Sequence, residues 1–302
     1  MSYYSMPDGE SLFVREFGQG EPVLVLSGLG MQSWQWLPFL YSHTQKYKFI
    51  IPDWRGFGGS HNCRIPTLEA IPSHWTDITS LIEQLQLDQV SVIAYSMGAS
   101  TAMHGMQYGH FNQKIKSYLH IDQTPKISVD ESWQYGLFSN QQAKFKQLLT
   151  NISQFLTRHS DARLLQDLDT ASQQQLLELW LNFIEFQASN KIVPLLFKAA
   201  LKHPKLQAWV LPIQRLDYLT WYIHNYLNHS EDYREAIAQL SCPSTFFIGE
   251  KSSLYPSTGQ KIIADSVKNS TQIIFKKSGH TPLISEPIKF RREIARFLKN
   301  TG

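Results

Sequence analysis

Cysteine is scarce in this chain, with two residues in 302. Cys63 and Cys242 are too few for a disulfide framework, and neither stands in a metal-ligand spacing, so neither a cysteine-stapled scaffold nor a structural zinc site is expected. An excess of one charge is missing too. Lys plus Arg number 28 against 25 Asp plus Glu, a net of +3, and the cations are scattered singly. The one basic cluster, KFRREIARFLK (289–299), reads as the solvated face of an amphipathic terminal helix, so no nucleic-acid-binding stripe is expected. No apolar run approaches the ~20 residues that cross a bilayer. The opening MSYYSMPDGESLF lacks the basic start and apolar stretch of a signal peptide, and a cytoplasmic chain is the expectation. Internal repeats and low-complexity tracts are absent as well.

What the chain does have is apolar substance, 42% hydrophobic and 13% aromatic residues. That suits one large domain, or a core carrying an insertion. Short apolar runs end in turn residues at PVLVLSGLG (22–30), YKFIIPDWRG (47–56), QVSVIAYSMG (89–98), IKSYLHIDQ (115–123), PSTFFIGE (243–250) and TQIIFKK (271–277). Their hydrophobicity is continuous rather than alternating, as in parallel strands covered on both faces. SLFVREFGQ (11–19) alternates better and reads as an antiparallel edge hairpin. WTDITSLIEQLQL (75–87) and GASTAMHGMQYG (98–109) read as helices between strands. The rhythm predicts an α/β fold whose mostly parallel central sheet carries helices on both faces.

The rhythm breaks near residue 130 and resumes near 240. Between these points Phe145, Leu148, Leu149, Ile152 and Phe155 recur at helical spacing, as do Leu176, Leu177, Trp180 and Ile184,. Trp133, Trp180, Trp209 and Trp221 fall here. The expectation is an inserted helical cap at 130–230, with the core supplied by 1–129 and 231–302.

VIAYSMGAS carries the strongest local signal. A strand runs into Ser96, with Ala94 two residues before it and Gly98 two after. A sharp strand-to-helix turn pushes the middle side chain outward in a strained conformation, and its flanks must be small where backbones pass closely. The plainer alternative is a serine in an ordinary strand–helix loop. Asp122 is the second candidate. It ends the apolar strand of SYLHIDQTPK (117–126), where a carboxylate is costly unless something nearby uses its charge.

With the elbow, the chain resembles the α/β-hydrolase superfamily over nearly its whole length. LSGLG (26–30) is similar to the oxyanion loop of that family, with Ser27 in place of its histidine. PDWRGFGGS (52–60) resembles the Asp-x-Arg-Gly-x-Gly-x-Ser turn, and SGHTPLISEP (278–287) the final histidine loop. The resemblance implies Ser96 as nucleophile and His280 as general base. It implies an oxyanion hole from the backbone N–H groups of Met97 and Leu29, and no cofactor or metal. Most relatives place the acid in a turn after the seventh strand, where this chain has Ser252 in FFIGEKSSLYP, and a serine cannot carry the charge that steadies an imidazolium. Asp122, after the sixth strand, is the favoured acid, an arrangement similar to that of some haloalkane dehalogenases. Those enzymes use an Asp nucleophile, so their route is excluded here. Glu250 is the alternative acid, and Asp53 reads as a support of the WRGFGG turn.

The leading functional expectation is a serine hydrolase cleaving an ester or other activated acyl compound. Its small-molecule substrate would carry an apolar acyl or aromatic group, given the aromatic-rich cap, although those aromatics also serve to pack the cap itself. An alternative on the same fold is a cofactor-free dioxygenase in which His280 and Asp122 act as a base pair, or a perhydrolase- or haloperoxidase-like oxidoreductase. A binding protein on an inactive hydrolase fold is a third.

Overall fold

The apolar runs assemble into one sheet. The structure is a computed structural model that describes residues 2–187, 198–199 and 215–300. Eight strands stand in the order β1-β2-β4-β3-β5-β6-β7-β8. They are β1 (Ser2–Ser5), β2 (Ser11–Gly18), β3 (Glu21–Leu26), β4 (Tyr47–Pro52), β5 (Val90–Tyr95), β6 (Ile115–Ile121), β7 (Ser244–Gly249) and β8 (Ser270–Phe275). β1 and β2 pair antiparallel, as do β2 and β4, whereas every pair from β4 through β3 to β8 is parallel. Strand β1 is the unexpected member. SYYS has no apolar run to announce it, because an edge strand needs only backbone pairing and leaves residues such as Tyr3 exposed,.

Continuous hydrophobicity in the strands corresponds to burial on both faces, and all of β5 is buried,. On one face Val23, Val25, Phe49, Ile51, Ile93, Leu119, Ile121, Phe247 and Phe275 join a single core. The side chains of α1 (Leu37–Leu40) and α10 (Pro287–Lys299) complete it. Helix α10 buries Phe290, Ile294, Phe297 and Leu298, each worth about 1.5–3 kcal/mol over exposure,. Its Arg292 and Arg296 stay largely exposed and reach back to the buried Glu293 carboxylate. Helices α2 (Ala70–Gln84) and α3 (Met97–Tyr108) pack on each other, and α3 also packs on β3 and β5. Helix α2 starts five residues before the expected 75, and Pro72 is tolerated because it falls in the first turn,.

The chain divides into two compact units, Met1–Ser139 with Ser230–Gly302, and Asn140–His229. The second unit therefore starts at 140, not at the expected 130. The reason is local bonding within the first unit: the Leu137 and Phe138 N–H groups donate to the carbonyls of Ile127 and Leu254, and the Trp133 indole donates to Thr124 Oγ1. Trp133 belongs with the sheet, not with the insertion. α7 (Arg234–Ala238), α8 (Ser257–Ser266) and α9 (Pro282–Ser285) also belong to this unit.

The second unit contains α4 (Gln142–Arg158), α5 (Thr170–Gln187) and α6 (Leu216–Asn228). Phe145, Leu149, Ile152 and Phe155 form the buried stripe of α4. Leu176 and Leu177 are buried on α5, and Leu148, Trp180 and Ile184 are half-buried. Its aromatics meet one another, Trp180 on Phe183 at 4.9 Å and Trp221 on Tyr222 at 4.9 Å between ring centroids. Trp209 lies outside the described residues. Among the described residues no helix is long and apolar enough to cross a membrane.

Two histidines are fully enclosed in the first unit. His74, on α2, packs against Trp54 with ring centroids 4.5 Å apart and planes tilted by 35°. On β6, His120 Nε2 donates to the Gln123 carbonyl and Nδ1 accepts from the Tyr118 hydroxyl, an arrangement for a neutral ring,. Burial pushes His74 down to about 3, aided by the nearby Arg55 charge. It pushes His120 down to about 4, against the opposing pull of the Gln123 carbonyl and Asp122. In both the folded value lies below the unfolded one, so the unfolded chain takes up protons first on acidification. Stability is complete above about pH 6.5 and falls below it, by up to about 1.4 kcal/mol per pH unit for each ring. Urea unfolding between pH 7 and 5 should show a falling midpoint, and His74→Gln should flatten that dependence.

Candidate active site

Four neighbouring strands, β5, β6, β7 and β8, all end at the same edge of the sheet, and each is followed by a residue or turn of the site,. After β5, Ser96 adopts φ 51° and ψ −119°, a region costing an ordinary residue about 1–3 kcal/mol,. It is held there because its N–H extends the ladder to the Ile121 carbonyl while its own carbonyl starts helix α3 through Ala99 and Ser100. The motif's small residue at Gly98 is a steric requirement, since a Cβ there would stand 2.1 Å from the Leu26 carbonyl oxygen.

After β6, Asp122 also takes a positive φ, 40°, and is fully buried. Its N–H bonds the Phe247 carbonyl. The carboxylate meets three donors. Oδ2 accepts from the Gly249 N–H at 2.9 Å, and Oδ1 accepts from the Ser252 hydroxyl at 2.8 Å and from His280 Nδ1 at 2.9 Å. Gly249 has to be glycine, because a Cβ would lie 2.1 Å from the Gly279 carbonyl oxygen and 2.7 Å from Asp122 Oδ2.

After β8, the His280 loop is fastened by Glu286, whose Oε1 accepts from the Lys277 N–H and the Ser278 hydroxyl. The ring stacks on Tyr95 at 5.3 Å and meets the edge of Tyr255 at 5.5 Å. The Tyr95 hydroxyl donates to the His280 carbonyl at 2.9 Å. Burial, with the Asp122 charge adding to it, pushes that phenol far above the usual tyrosine range, so it remains a donor. A carboxylate only accepts, so Nδ1 carries the proton and the Nε2 lone pair faces Ser96 Oγ at 3.0 Å,. The site is thus an oriented hydroxyl, imidazole and carboxylate in series.

The loop after β3 completes the surroundings. Gly28 to Met31 form a turn closed by the Met31 N–H on the Gly28 carbonyl, with Gly30 at φ 82°. A Cβ on Gly28 would touch the Tyr95 ring at 3.0 Å and Ser96 Cβ at 3.4 Å, so the loop backbone lies against the elbow. Leu29 sits at the top of this turn. Met97 is the first residue of α3, so its N–H has no intrahelical acceptor,. Ser27 is clamped by two indoles, Trp36 Nε1 on its hydroxyl at 3.0 Å and Trp54 Nε1 on its carbonyl at 2.7 Å.

Ser96, His280 and Asp122 come together. Glu250 does not join them. It is an exposed partner of Lys261, whose Nζ lies 3.2 Å from both of its carboxylate oxygens. Asp53 braces two loops, accepting from the Ser33 N–H at 2.6 Å and the Gly59 N–H at 2.9 Å. Sequence reasoning missed Tyr95, Trp36 and Trp54 as supports. Tyr95 had one usable signal, its place beside the elbow serine, whereas the indole clamps join segments distant in sequence.

A family model for the alpha/beta hydrolase fold matches residues 21–287. A pimeloyl-[acyl-carrier protein] methyl ester esterase of Legionella pneumophila (strain Corby) is 21% identical over 290 residues, which are 96% of this chain and 100% of that protein. The AB hydrolase superfamily protein YisY of Bacillus subtilis is 23% identical over 299 residues, 98% of each. Among solved structures, an esterase from Exiguobacterium antarcticum is similar with a TM-score of 0.74 at 18% identity, covering 99% of both chains. A bromoperoxidase from Bacillus anthracis reaches 0.72 at 18% identity, covering 99% of this chain and 100% of that one. These two likenesses concern the fold alone. With a family match spanning most of its length, the chain belongs to the enzymes of the alpha/beta hydrolase fold.

Proposed function

We propose that this enzyme is a serine hydrolase that cleaves an ester, or another activated acyl compound, through an acyl-enzyme. The observation that carries the reading is the continuous hydrogen-bonded line from Ser96 Oγ through both nitrogens of His280 to Asp122. Ser96 attacks the acyl carbon while His280 Nε2 takes its proton. The Asp122 charge steadies the imidazolium, and the same proton is then delivered to the departing alcohol. Water repeats the sequence to release the acid. The N–H groups of Met97 and Leu29 are the donors for the tetrahedral oxyanion, each worth about 3–4 kcal/mol. The esterases that match over nearly the whole chain support an ester as substrate. An apolar acyl or aromatic group suits the site because Leu29, Met31 and the exposed Trp34 share the loop beside the elbow,.

The strain at Ser96 favours a nucleophile over a residue that merely binds substrate, since strain of this kind persists where a side chain must be presented to a reactant,. The test is labelling by a fluorophosphonate probe together with turnover of short-chain nitrophenyl esters. Wild type should label and turn over, and Ser96→Ala should do neither, with kcat reduced at least ~10⁴-fold. Labelling of Ser96→Ala equal to wild type would overturn the assignment. Metal-free oxygen uptake on a hydroxylated N-heteroaromatic compound, without ester turnover, would point to the dioxygenase reading instead.

The same assay separates the two acids. Asp122→Asn should lower kcat by roughly 10³–10⁴-fold, because a neutral amide cannot hold the required tautomer. Glu250→Gln should remain within about twofold of wild type, as expected for a surface ion pair.

A further inference from the structure

Ser252 occupies the turn position where an acid was sought in the sequence, and the structure assigns it a different task. Its Oγ lies 2.8 Å from Asp122 Oδ1, the same oxygen that receives His280 Nδ1 at 2.9 Å. The direction of the bond follows from its surroundings. The Tyr255 N–H points at Ser252 Oγ from 3.3 Å, occupying a lone pair. A carboxylate oxygen accepts only, so the hydroxyl hydrogen is directed at Asp122. The backbone of Ser252 is tied in turn, its N–H bonding the Gly249 carbonyl at 3.1 Å, while the Gly249 N–H holds Asp122 Oδ2. One short segment at the end of β7 therefore grips both oxygens of a carboxylate that follows β6.

The torsion that swings a carboxylate about its Cβ–Cγ bond is intrinsically broad. With Gly249 alone, one oxygen would be pinned and the other aimed only by the histidine it is meant to orient. The second donor removes that freedom and keeps a lone pair of Oδ1 on Nδ1. We propose that Ser252 is a positioning residue of the catalytic set, acting through Asp122 and not on substrate. The inference rests on the reading of Ser96, His280 and Asp122 given under the proposed function.

The experiment compares the wild-type chain, Ser252→Ala, Ser252→Thr, Asp122→Asn and Asp122→Asn/Ser252→Ala in nitrophenyl butyrate hydrolysis, with Ser96→Ala alongside. Ser252→Ala should lose about 10-fold in kcat, with KM within about twofold and the thermal midpoint little changed. Ser252→Thr, which keeps the hydroxyl, should recover most of the rate. In the Asp122→Asn background, Ser252→Ala should cause no further loss, because the hydroxyl then has no carboxylate to aim. An unchanged kcat in Ser252→Ala, or an equal loss in both backgrounds, overturns the proposal. If Ser96→Ala retains wild-type turnover, the underlying triad reading fails. If Ser96→Ala is inert while Ser252→Ala is normal, only the role of Ser252 falls.

Discussion

A carboxylate without access to water must have its charge met by protein donors, and the arrangement of this site depends on how Asp122 meets that demand. It is fully buried, and it receives one backbone N–H, one hydroxyl and one imidazole N–H. Two of these donors come from one segment at the end of β7 and the third from the loop after β8, and together they meet the charge,. The imidazole satisfies a buried anion and is oriented by it in the same contact. Removing the charge would leave Gly249 and Ser252 with donors aimed at a weaker acceptor, and His280 without a fixed tautomer.

The sheet makes this convergence possible. Parallel strands bring their carboxyl ends to one edge, and β5, β6, β7 and β8 are consecutive in space although separated by long stretches of chain,. Ser96 leaves the first of these strands, Asp122 the second, Gly249 and Ser252 the third, and His280 follows the fourth. Two positive-φ residues, Ser96 and Asp122, stand at adjacent strand ends. Their backbones are tied to neighbouring strands by the Ile121 and Phe247 carbonyls, so the ladder itself stabilises the unfavourable conformations. Around this edge the supports are apolar bodies with one polar handle. Tyr95 stacks under the histidine and holds its carbonyl, and Trp36 and Trp54 hold Ser27,.

The degree to which the fold could be read in advance followed from how local each cause was. The parallel strands were legible because burial on two faces imposes a continuous apolar run, as in the fully buried β5,. Strand β1 was not, since an edge strand is held by backbone bonds that any residues can make. The second unit starts at 140 instead of 130, because hydrogen bonds of Leu137 and Phe138 to Ile127 and Leu254 hold that segment within the first unit. Periodicity contains no record of such bonds. Glu250 and Asp122 were both acids at strand ends, and only the partner that each carboxylate meets, Lys261 Nζ or His280 Nδ1, separates them.

What the amino-acid sequence by itself determined was the alternation of strand and helix, the small residues that let a serine stand at a sharp turn, and the candidate side chains. These are consequences of neighbouring residues, through burial pattern and backbone sterics. Tertiary structure alone decided which acid faces the histidine, that Ser252 contributes a donor where an acid was sought, and that two indoles clamp Ser27. Hydrogen bonds between strand ends depend on angles and distances across the sheet, and those come into existence only once the strands have paired in their final order.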